Sequence, residues 1–534
     1  MICALANSLW LAGCASESAR FRGATRRVAE EQHTILRRIL DQNRDTEFGR
    51  QHDFSSIRSV ADYQGRVPLR DYDQHQQWID RAASGLPNVL TKQKIRLFEP
   101  TSGSSGAIKL IPYTASLQQE FQRGIRAWIA DLFMHKPALL GGQAYWSVSP
   151  VIDTARQTSG GIPIGFEDES SYVGGWQSHL VNAVMAVPAQ VRLTSDLDQF
   201  RYNSLLFLLR SRSLRLISIW SPSFLFLLLD RLAEWGDRFA QGLDARRARE
   251  LRRALATRSA QDMYRTLWPN LSVISCWADS NASAPAVKLA NLFPHCRIQG
   301  KGLIATEGFV SFPLTNHDGS ALAIRSHFLE FLPIGSDRTM LAHQLEPGAR
   351  YEVVLTTGGG LYRYQLGDLI EVAGHFNGCP LIRFLGRHQY VSDWFGEKLS
   401  DAHVSSVFQE VFRSMALSPS FAMLACDTYS LPSYVLYIDS PEHDELLGRA
   451  AEMIDAGLRA NFHYDYARRL GQLQSIRSFR APNGASIFLK TEMQNGRRLG
   501  DVKIPALDRR DGWSRIFDEF TPDRSPNSVS YTSP

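Results

Sequence analysis

Glu99-Pro100-Thr101-Ser102-Gly103-Ser104-Ser105-Gly106-Ala107-Ile108-Lys109 is the stretch from which the rest of the chain is read. Seven of its residues, Thr101 to Ala107, are small, hydroxylated or glycine. Such a loop lets backbone N–H groups and hydroxyls converge on an anion, and Lys109 adds a mobile positive charge. The composition suits phosphate. The spacing is not that of a Walker loop, because Lys109 is followed by Leu110 rather than Ser or Thr. Nor is it a hydrolase elbow, since the Gly-x-Ser-x-Gly frame starting at Gly103 ends on Ala107. Taken alone, the stretch reads equally as a solvated Ser/Gly turn.

Working outward, the 534 residues exceed what one hydrophobic core supports, so two or more domains are expected. A net charge of +5 with no run of like charge argues against a nucleic-acid partner. The six cysteines are scattered, without a C-x-x-C pair, which points to reduced thiols and a cytoplasmic protein. Leu11-Ala12-Gly13-Cys14 resembles a lipoprotein cleavage box, but no basic segment precedes it and Asn7-Ser8 interrupts the apolar run, so that reading is set aside. The most apolar segment, Leu205 to Leu232, carries Arg210, Arg212, Arg215, Asp230 and Pro222, so no membrane span is expected.

The periodicity predicts an α/β protein. Ile35, Leu36, Ile39 and Leu40 share one helical face, ended by a turn at Asp45 to Gly49. Leu117, Phe121, Ile125, Ile129 and Leu132 recur at helical spacing behind Thr114, which places the Ser/Gly loop near a strand-to-helix junction. Strand-like runs at Ala144 to Ser149, Leu214 to Trp220 and Leu271 to Trp277 alternate with helical patterns. Trp146, Trp220, Trp277 and Phe309 can line an acyl pocket, although each taken singly reads first as core. From Tyr351 to Gly386 four short β segments form a β subdomain, including separate strands at Leu361 to Tyr364 and Leu369 to Ala373. A polar linker and a helix with Val404, Val407, Phe408, Val411 and Phe412 then open a smaller α+β domain. The expected layout is a large domain over 1–386, a hinge over 387–399, a small mobile domain over 400–520 and a disordered tail over 521–534.

Three more stretches complete the pattern: Gly302-Leu303-Ile304-Ala305-Thr306-Glu307-Gly308, Leu361-Tyr362-Arg363-Tyr364-Gln365-Leu366-Gly367-Asp368, and Gly386 to Leu399. With the Thr101 to Lys109 loop and Lys503, they resemble in order and spacing the auxin-responsive Gretchen Hagen family of acyl-acid amido synthetases, within the acyl-adenylate-forming enzymes. The resemblance runs from about Ile35 to Pro505 and implies the acyl-adenylate-forming fold. It implies an ATP- and Mg²⁺-dependent ligase that adenylates a small carboxylic acid and passes the acyl group to an amine, the acceptor being an amino acid, releasing pyrophosphate and AMP.

Residue by residue, the resemblance implies that Thr101, Ser102, Gly103, Ser104, Ser105 and Gly106, with Lys109, bind the nucleotide phosphates. Thr306, like Leu303, corresponds to a nucleotide-binding position, Glu307 to the Mg²⁺ carboxylate, and Asp368 to the acceptor of the ribose hydroxyls. Arg387 and Lys398 correspond to nucleotide-contacting residues of the hinge, and Lys503 to the catalytic lysine on the α-phosphate and carboxylate. Each has an ordinary alternative: a surface carboxylate for Glu307, a hairpin turn for Asp368, a rim salt bridge for Arg387, a solvated side chain for Lys503. The chain departs from the pattern at Leu303, where an adenine-stacking Tyr is common, so adenine would rest on an aliphatic face. Two rivals stay open: a thioester synthetase that transfers to coenzyme A or a carrier protein, and a non-catalytic nucleotide- or acyl-binding homologue. Oligomeric state is not legible.

Overall fold

A computed structural model of the chain describes residues 2–101, 109–146, 156–165, 180, 183–194, 196–387, 391–392, 394, 397–427, 433–469, 472–495, 497 and 502–519. Contacts divide it into two compact units, one of Met1–Asp279 and Leu289–Leu385, the other of Ser280–Lys288 and Gly386–Pro534. The tail over 521–534 lies outside the described residues.

The first unit opens with helices α1 (Ile2–Ala24), α2 (Val28–Asn43), α3 (Glu47–Gln51), α4 (Val60–Arg66) and α5 (Tyr72–Ala83). The turn expected at Asp45 to Gly49 is shorter than that, because Thr46 accepts the Gly49 N–H at 2.9 Å and starts α3 at once. Cys14 is fully buried within α1.

Strands β1 (Leu97–Thr101) and β2 (Lys109–Tyr113) pair antiparallel, with Thr101 opposite Lys109. Thr114 then caps α6 (Ala115–His135), accepting the Leu117 N–H at 3.2 Å. The expected strand-to-helix position of the Ser/Gly loop is therefore corrected: its two ends are the paired ends of a hairpin, and the five-residue strand that Lys109 begins separates it from the helix. A strand this short leaves too few residues for alternation to declare itself.

Four parallel strands follow the order β3 (Gln143–Trp146), β6 (Leu214–Ser218), β7 (Val273–Cys276), β8 (Arg297–Gly300), while β4 (Arg156–Gln157) and β5 (Pro163–Ile164) join β1. Trp146, Ser218, Ser275 and Gln299 form one row across the strand ends. After the small hairpin β9 (Ile304–Ala305) and β10 (Gly308–Phe309) comes a seven-stranded sheet. It comprises β11 (Ser311–Pro313), β12 (Ser320–Leu322), β13 (Phe328–Pro333), β14 (Met340–Leu341), β15 (Arg350–Thr356), β16 (Tyr364–Phe376) and β17 (Cys379–Arg387), in the order β11-β12-β17-β16-β15-β13-β14. Of the two strands expected at Leu361 to Tyr364 and Leu369 to Ala373, the second lies within β16, while Leu361 to Arg363 precede that strand and only Tyr364 of the first belongs to it. A bulge interrupts the pairing of β16: Glu352 pairs with Leu369 and Val354 with Gln365, leaving Leu366 to Asp368 opposite Val353.

The second unit holds a hairpin of β18 (Val391–Ser392) and β19 (Leu399–Ser400) and a sheet of β20 (Phe421–Asp427), β21 (Ser433–Asp439), β22 (Gln474–Arg480) and β23 (Leu507–Asp508), in the order β22-β21-β20-β23. The helix Asp401–Ser414 buries Val404, Val407, Phe408, Val411 and Phe412 in that unit's own core, as the spacing predicts.

Candidate active site

In the first unit the loop closes on Lys109, whose Nζ lies 5.2 Å from the centre of the Tyr72 ring. Tyr72 stands at the start of α5, where Asp71 accepts the Gln74 N–H and Gln74 returns the bond to Asp71, each at 3.0 Å. Its hydroxyl accepts the Leu110 N–H at 2.8 Å, so the same phenol carries Lys109 on its face and the next residue's backbone on its edge. Burial raises the Tyr72 phenol above its usual range, and nearby carboxylates, Glu307 among them, add to the rise. Lys109 thus rests on an aromatic side chain that the motifs did not single out. Ser102, Gly103, Ser104, Ser105 and Gly106 lie outside the described residues, and of Thr101 only the backbone pairing is described.

Glu307 occupies the two-residue turn, with Thr306, that closes the β9–β10 hairpin. It is only 5% exposed, and Tyr364 donates its hydroxyl to Oε1 at a long 3.5 Å. Tyr364 packs edge-on against His75, ring centres 5.6 Å apart, and burial pulls the His75 imidazole down to about 4, so it is neutral near pH 7. Leu303 is buried in the main core; its carbonyl accepts the N–H groups of Val310 and Ser311, each at 3.0 Å. Phe309 is likewise core, whereas Trp146, Trp220 and Trp277 are half-buried at the parallel strand ends.

The Leu361 to Asp368 stretch divides its labour. Tyr362 is fully buried and donates to the Leu90 carbonyl at 2.7 Å. Arg363 holds Glu330 at 3.0 Å, the carbonyls of Gln64 and Val67 at 3.0 and 2.9 Å, and Thr339 at 2.9 Å. Asp368, 3% exposed, sits in the β16 bulge, where Gly367 takes φ +77°, a conformation glycine adopts without strain. Bulges re-aim side chains beside sites, and this one decides where Asp368 stands. Across it, burial pushes the Glu352 carboxyl up to about 7, offset by the Gly367 N–H and reinforced by the charge of Asp368.

One residue outside the motif roles stands out. Lys301, 8% exposed at the end of β8, donates to Ser218 Oγ at 2.7 Å and lies 5.4 and 5.1 Å from the ring centres of Trp128 and Trp220. Its signal in the sequence was only its place after a strand.

In the second unit, Lys398 is exposed with φ +45°, and its carbonyl accepts Asn461 Nδ2 at 3.0 Å. The fully buried Glu397 before it accepts the Trp394 N–H at 3.0 Å and the Tyr434 hydroxyl. Lys503 is exposed, and the segment it begins is pinned by Asp401, whose Oδ1 accepts the N–H groups of Ala506 and Leu507 at 2.8 and 3.0 Å. Asp401 opens the helix that follows Lys398, so it links the two lysine-bearing segments. Arg387 ends β17, half-buried.

A family model described as the GH3 family N-terminal domain matches residues 17–242, and one described as the GH3 family central domain matches residues 320–387. The chain belongs to the GH3 family. The resemblance read from the motifs is thereby borne out. Among GH3 relatives, the indole-3-acetic acid-amido synthetase GH3.3 of Arabidopsis thaliana is 23% identical over 506 residues, 82% of each chain. The putative indole-3-acetic acid-amido synthetase GH3.9 of the same plant is 25% identical over 495 residues, 79% of this chain and 81% of the relative. The solved structure of a GH3.15 acyl acid amido synthetase in complex with 2,4-DB superposes with a TM-score of 0.83 at 18% identity, covering 95% of this chain and 96% of that one. The GH3 fold is therefore the fold of this chain. Among the described residues, no helix is long and apolar enough to cross a membrane, and all six cysteines are free thiols.

Proposed function

We propose that this GH3 chain is an ATP-dependent ligase that joins a carboxylic acid to an amine, the acceptor being an amino acid. The carboxylate oxygen attacks the α-phosphorus of ATP and the bond to the β-phosphate bridging oxygen breaks, giving acyl-adenylate and pyrophosphate. The amine nitrogen then attacks the acyl carbon, AMP leaves, and the nitrogen loses a proton. The observation that carries this reading is the placement of Lys109 on the face of Tyr72, at the paired end of the β1–β2 hairpin whose intervening sequence is rich in Ser and Gly. The names of the curated relatives support an indole- or aryl-bearing acid.

Each residue has a chemical task in this reading. Lys109 balances charge on the departing pyrophosphate, and the loop hydroxyls and N–H groups hold its oxygens. Asp368, ionised and acceptor-only, takes the ribose hydroxyls. Lys503 places a point charge where negative charge grows on the α-phosphate. Lys301, at the C-terminal end of a parallel strand and between the indoles of Trp128 on α6 and Trp220 after β6, offers a cation and an apolar wall to the acid. Arg387 and Lys398 bind the nucleotide from the segment 387–399, which serves as hinge between 1–386 and 400–520.

Glu307 fits Mg²⁺. No group of three His, Cys, Asp or Glu that could hold a metal occurs among the described residues, and Mg²⁺ is ordinarily held by one or two carboxylates with phosphate oxygens and water rather than by a protein cage. When bound there, the ion would neutralise phosphate charge. The free thiols support a cytoplasmic setting.

The test is pyrophosphate release from ATP across aryl, indolyl, fatty and hydroxy acids, each with pooled amino acids, with coenzyme A, or with neither. Release raised by amino acids, with an amide product by mass, is expected. Release raised by coenzyme A alone would replace the amide reading with a thioester one, and silence despite ATP binding would favour a binding protein.

A further inference from the structure

Glu120 and His327, separated by 207 positions, face each other in the interior of the first unit, 2% and 0% exposed. Glu120 Oε2 lies 2.9 Å from His327 Nδ1. On the other side of the ring, the Phe309 N–H donates to His327 Nε2 at 2.9 Å. A backbone N–H only donates, so Nε2 holds the lone pair and the proton sits on Nδ1, donated to Glu120. Phe309 is the second residue of β10, immediately after Glu307 and Gly308. A Cβ on Gly308 would lie 3.0 Å from His327 Nε2, so a side chain there would press on the imidazole.

The same carboxylate reaches a second segment. Glu120 Oε1 and Oε2 accept the Gly358 N–H at 3.1 and 3.0 Å, and the Gly358 carbonyl accepts Thr114 Oγ1 at 3.0 Å. Gly358 begins the turn that leads into Leu361 to Asp368. Ser326 Oγ bonds the Glu120 carbonyl at 2.8 Å, and Gln32 holds the His327 carbonyl at 2.8 Å and the Leu329 N–H at 2.8 Å, so neither partner has freedom to drift.

We propose that the Glu120–His327 pair is the positioning device of the site: it sets the Glu307 hairpin through the Phe309 N–H and the approach to Asp368 through the Gly358 N–H. Both are positioning residues rather than catalytic ones. The inference rests on the proposed role of Glu307 at the nucleotide's divalent ion. Outer partners that orient ligand groups commonly change metal affinity by about 10- to 100-fold when removed.

Two amide variants separate the two bonds of the imidazole. His327→Asn keeps a donor at the Nδ1 position and loses the acceptor for Phe309, while His327→Gln keeps an acceptor at the Nε2 position. The readout is ATP binding by calorimetry as a function of Mg²⁺ concentration, with Glu307→Gln as the reference for full loss and thermal unfolding run in parallel. We expect His327→Asn to raise the Mg²⁺ half-saturation about 10-fold and His327→Gln to stay within about twofold of wild type. If both lower the melting temperature while keeping wild-type Mg²⁺ half-saturation, the pair is structural and the inference falls, with the nucleotide reading intact. If wild-type protein binds ATP with no Mg²⁺ dependence, the reading of Glu307 falls and takes the inference with it. Should His327→Asn fail to fold, Glu120→Gln decides by the same criterion: its amide has a single acceptor oxygen, so the His327 Nδ1–H and the Gly358 N–H can no longer each have an oxygen of their own.

Discussion

Lys109 rests on the face of Tyr72 at 5.2 Å while the hydroxyl of that same Tyr72 takes the Leu110 N–H at 2.8 Å. A single side chain thereby aims the lysine and fixes the strand that carries it. The two functions are separable. Tyr72→Phe keeps the ring under Lys109 and should leave the KM for ATP within about twofold, while the freed Leu110 N–H costs stability of about 1–2 kcal/mol. Tyr72→Leu also loses the cation–π contact, and should raise that KM about fivefold, the scale of 1 kcal/mol. Equal KM values in the two variants would remove Lys109 from nucleotide binding.

Lys503 is exposed, and the backbone that follows it is held by Asp401 through the N–H groups of Ala506 and Leu507. Lys503→Ala is expected to slow acyl-adenylate formation at least ~10²-fold with ATP affinity nearly unchanged, the scale for one lost electrostatic stabiliser. Asp401→Ala, which releases two buried N–H groups, should lower both stability and this rate; Asp401→Asn, which keeps an acceptor, should restore most of each. Pre-steady-state adenylate formation and urea unfolding measure the two effects.

Glu352 carries the pH dependence. Its folded carboxyl is pushed up to about 7 from 4.5, so between those values the folded state binds a proton that the unfolded state has released. Stability from this group is therefore intact below pH 4.5 and is lost as pH rises through 7. Glu352→Gln keeps an acceptor for Gly367 and should stabilise the protein at pH 8, by up to about 3 kcal/mol, with little change at pH 4.5. Denaturant midpoints at the two pH values test this; a gain at pH 4.5 equal to that at pH 8 would show that Glu352 is not titrating.

Arg363, although central in the most legible motif, belongs to the scaffold. It and Glu330 are both buried, and its guanidinium also serves two carbonyls and a hydroxyl. Arg363→Ala strands a buried carboxylate and should cost about 3–5 kcal/mol in unfolding free energy. Arg363→Lys cannot reproduce the fork and should recover only part of that. In the folded fraction of either variant, ATP binding should match wild type by calorimetry.

Local pattern made part of this legible. The helix behind Thr114, the alternation of strands and helices and the core face of Asp401–Ser414 follow from spacing alone, because 3.6-residue periodicity and N-caps are properties of a few neighbouring residues. Helix α1 escaped because its apolar residues are spread around the circumference with small ones, leaving no single stripe to read. The β16 bulge escaped because register is set by the partner strand, which lies elsewhere in the sequence.

What the sequence determined by itself was the inventory: a Ser/Gly loop ending in Lys109, a Glu in a short turn, an Asp after Gly367, two lysines near the second unit's helix and linker, and an order of motifs sufficient to assign the family. What only the tertiary structure decided was which of them are held in place, and by what. Tyr72 reaches Leu110 across 38 positions, Arg363 reaches Glu330 across 33, and Glu120 reaches His327 across 207. No periodicity encodes such pairs, because each depends on burial that exists only after the chain has folded, and burial is what makes an unsatisfied donor or carboxylate costly enough to fix a partner.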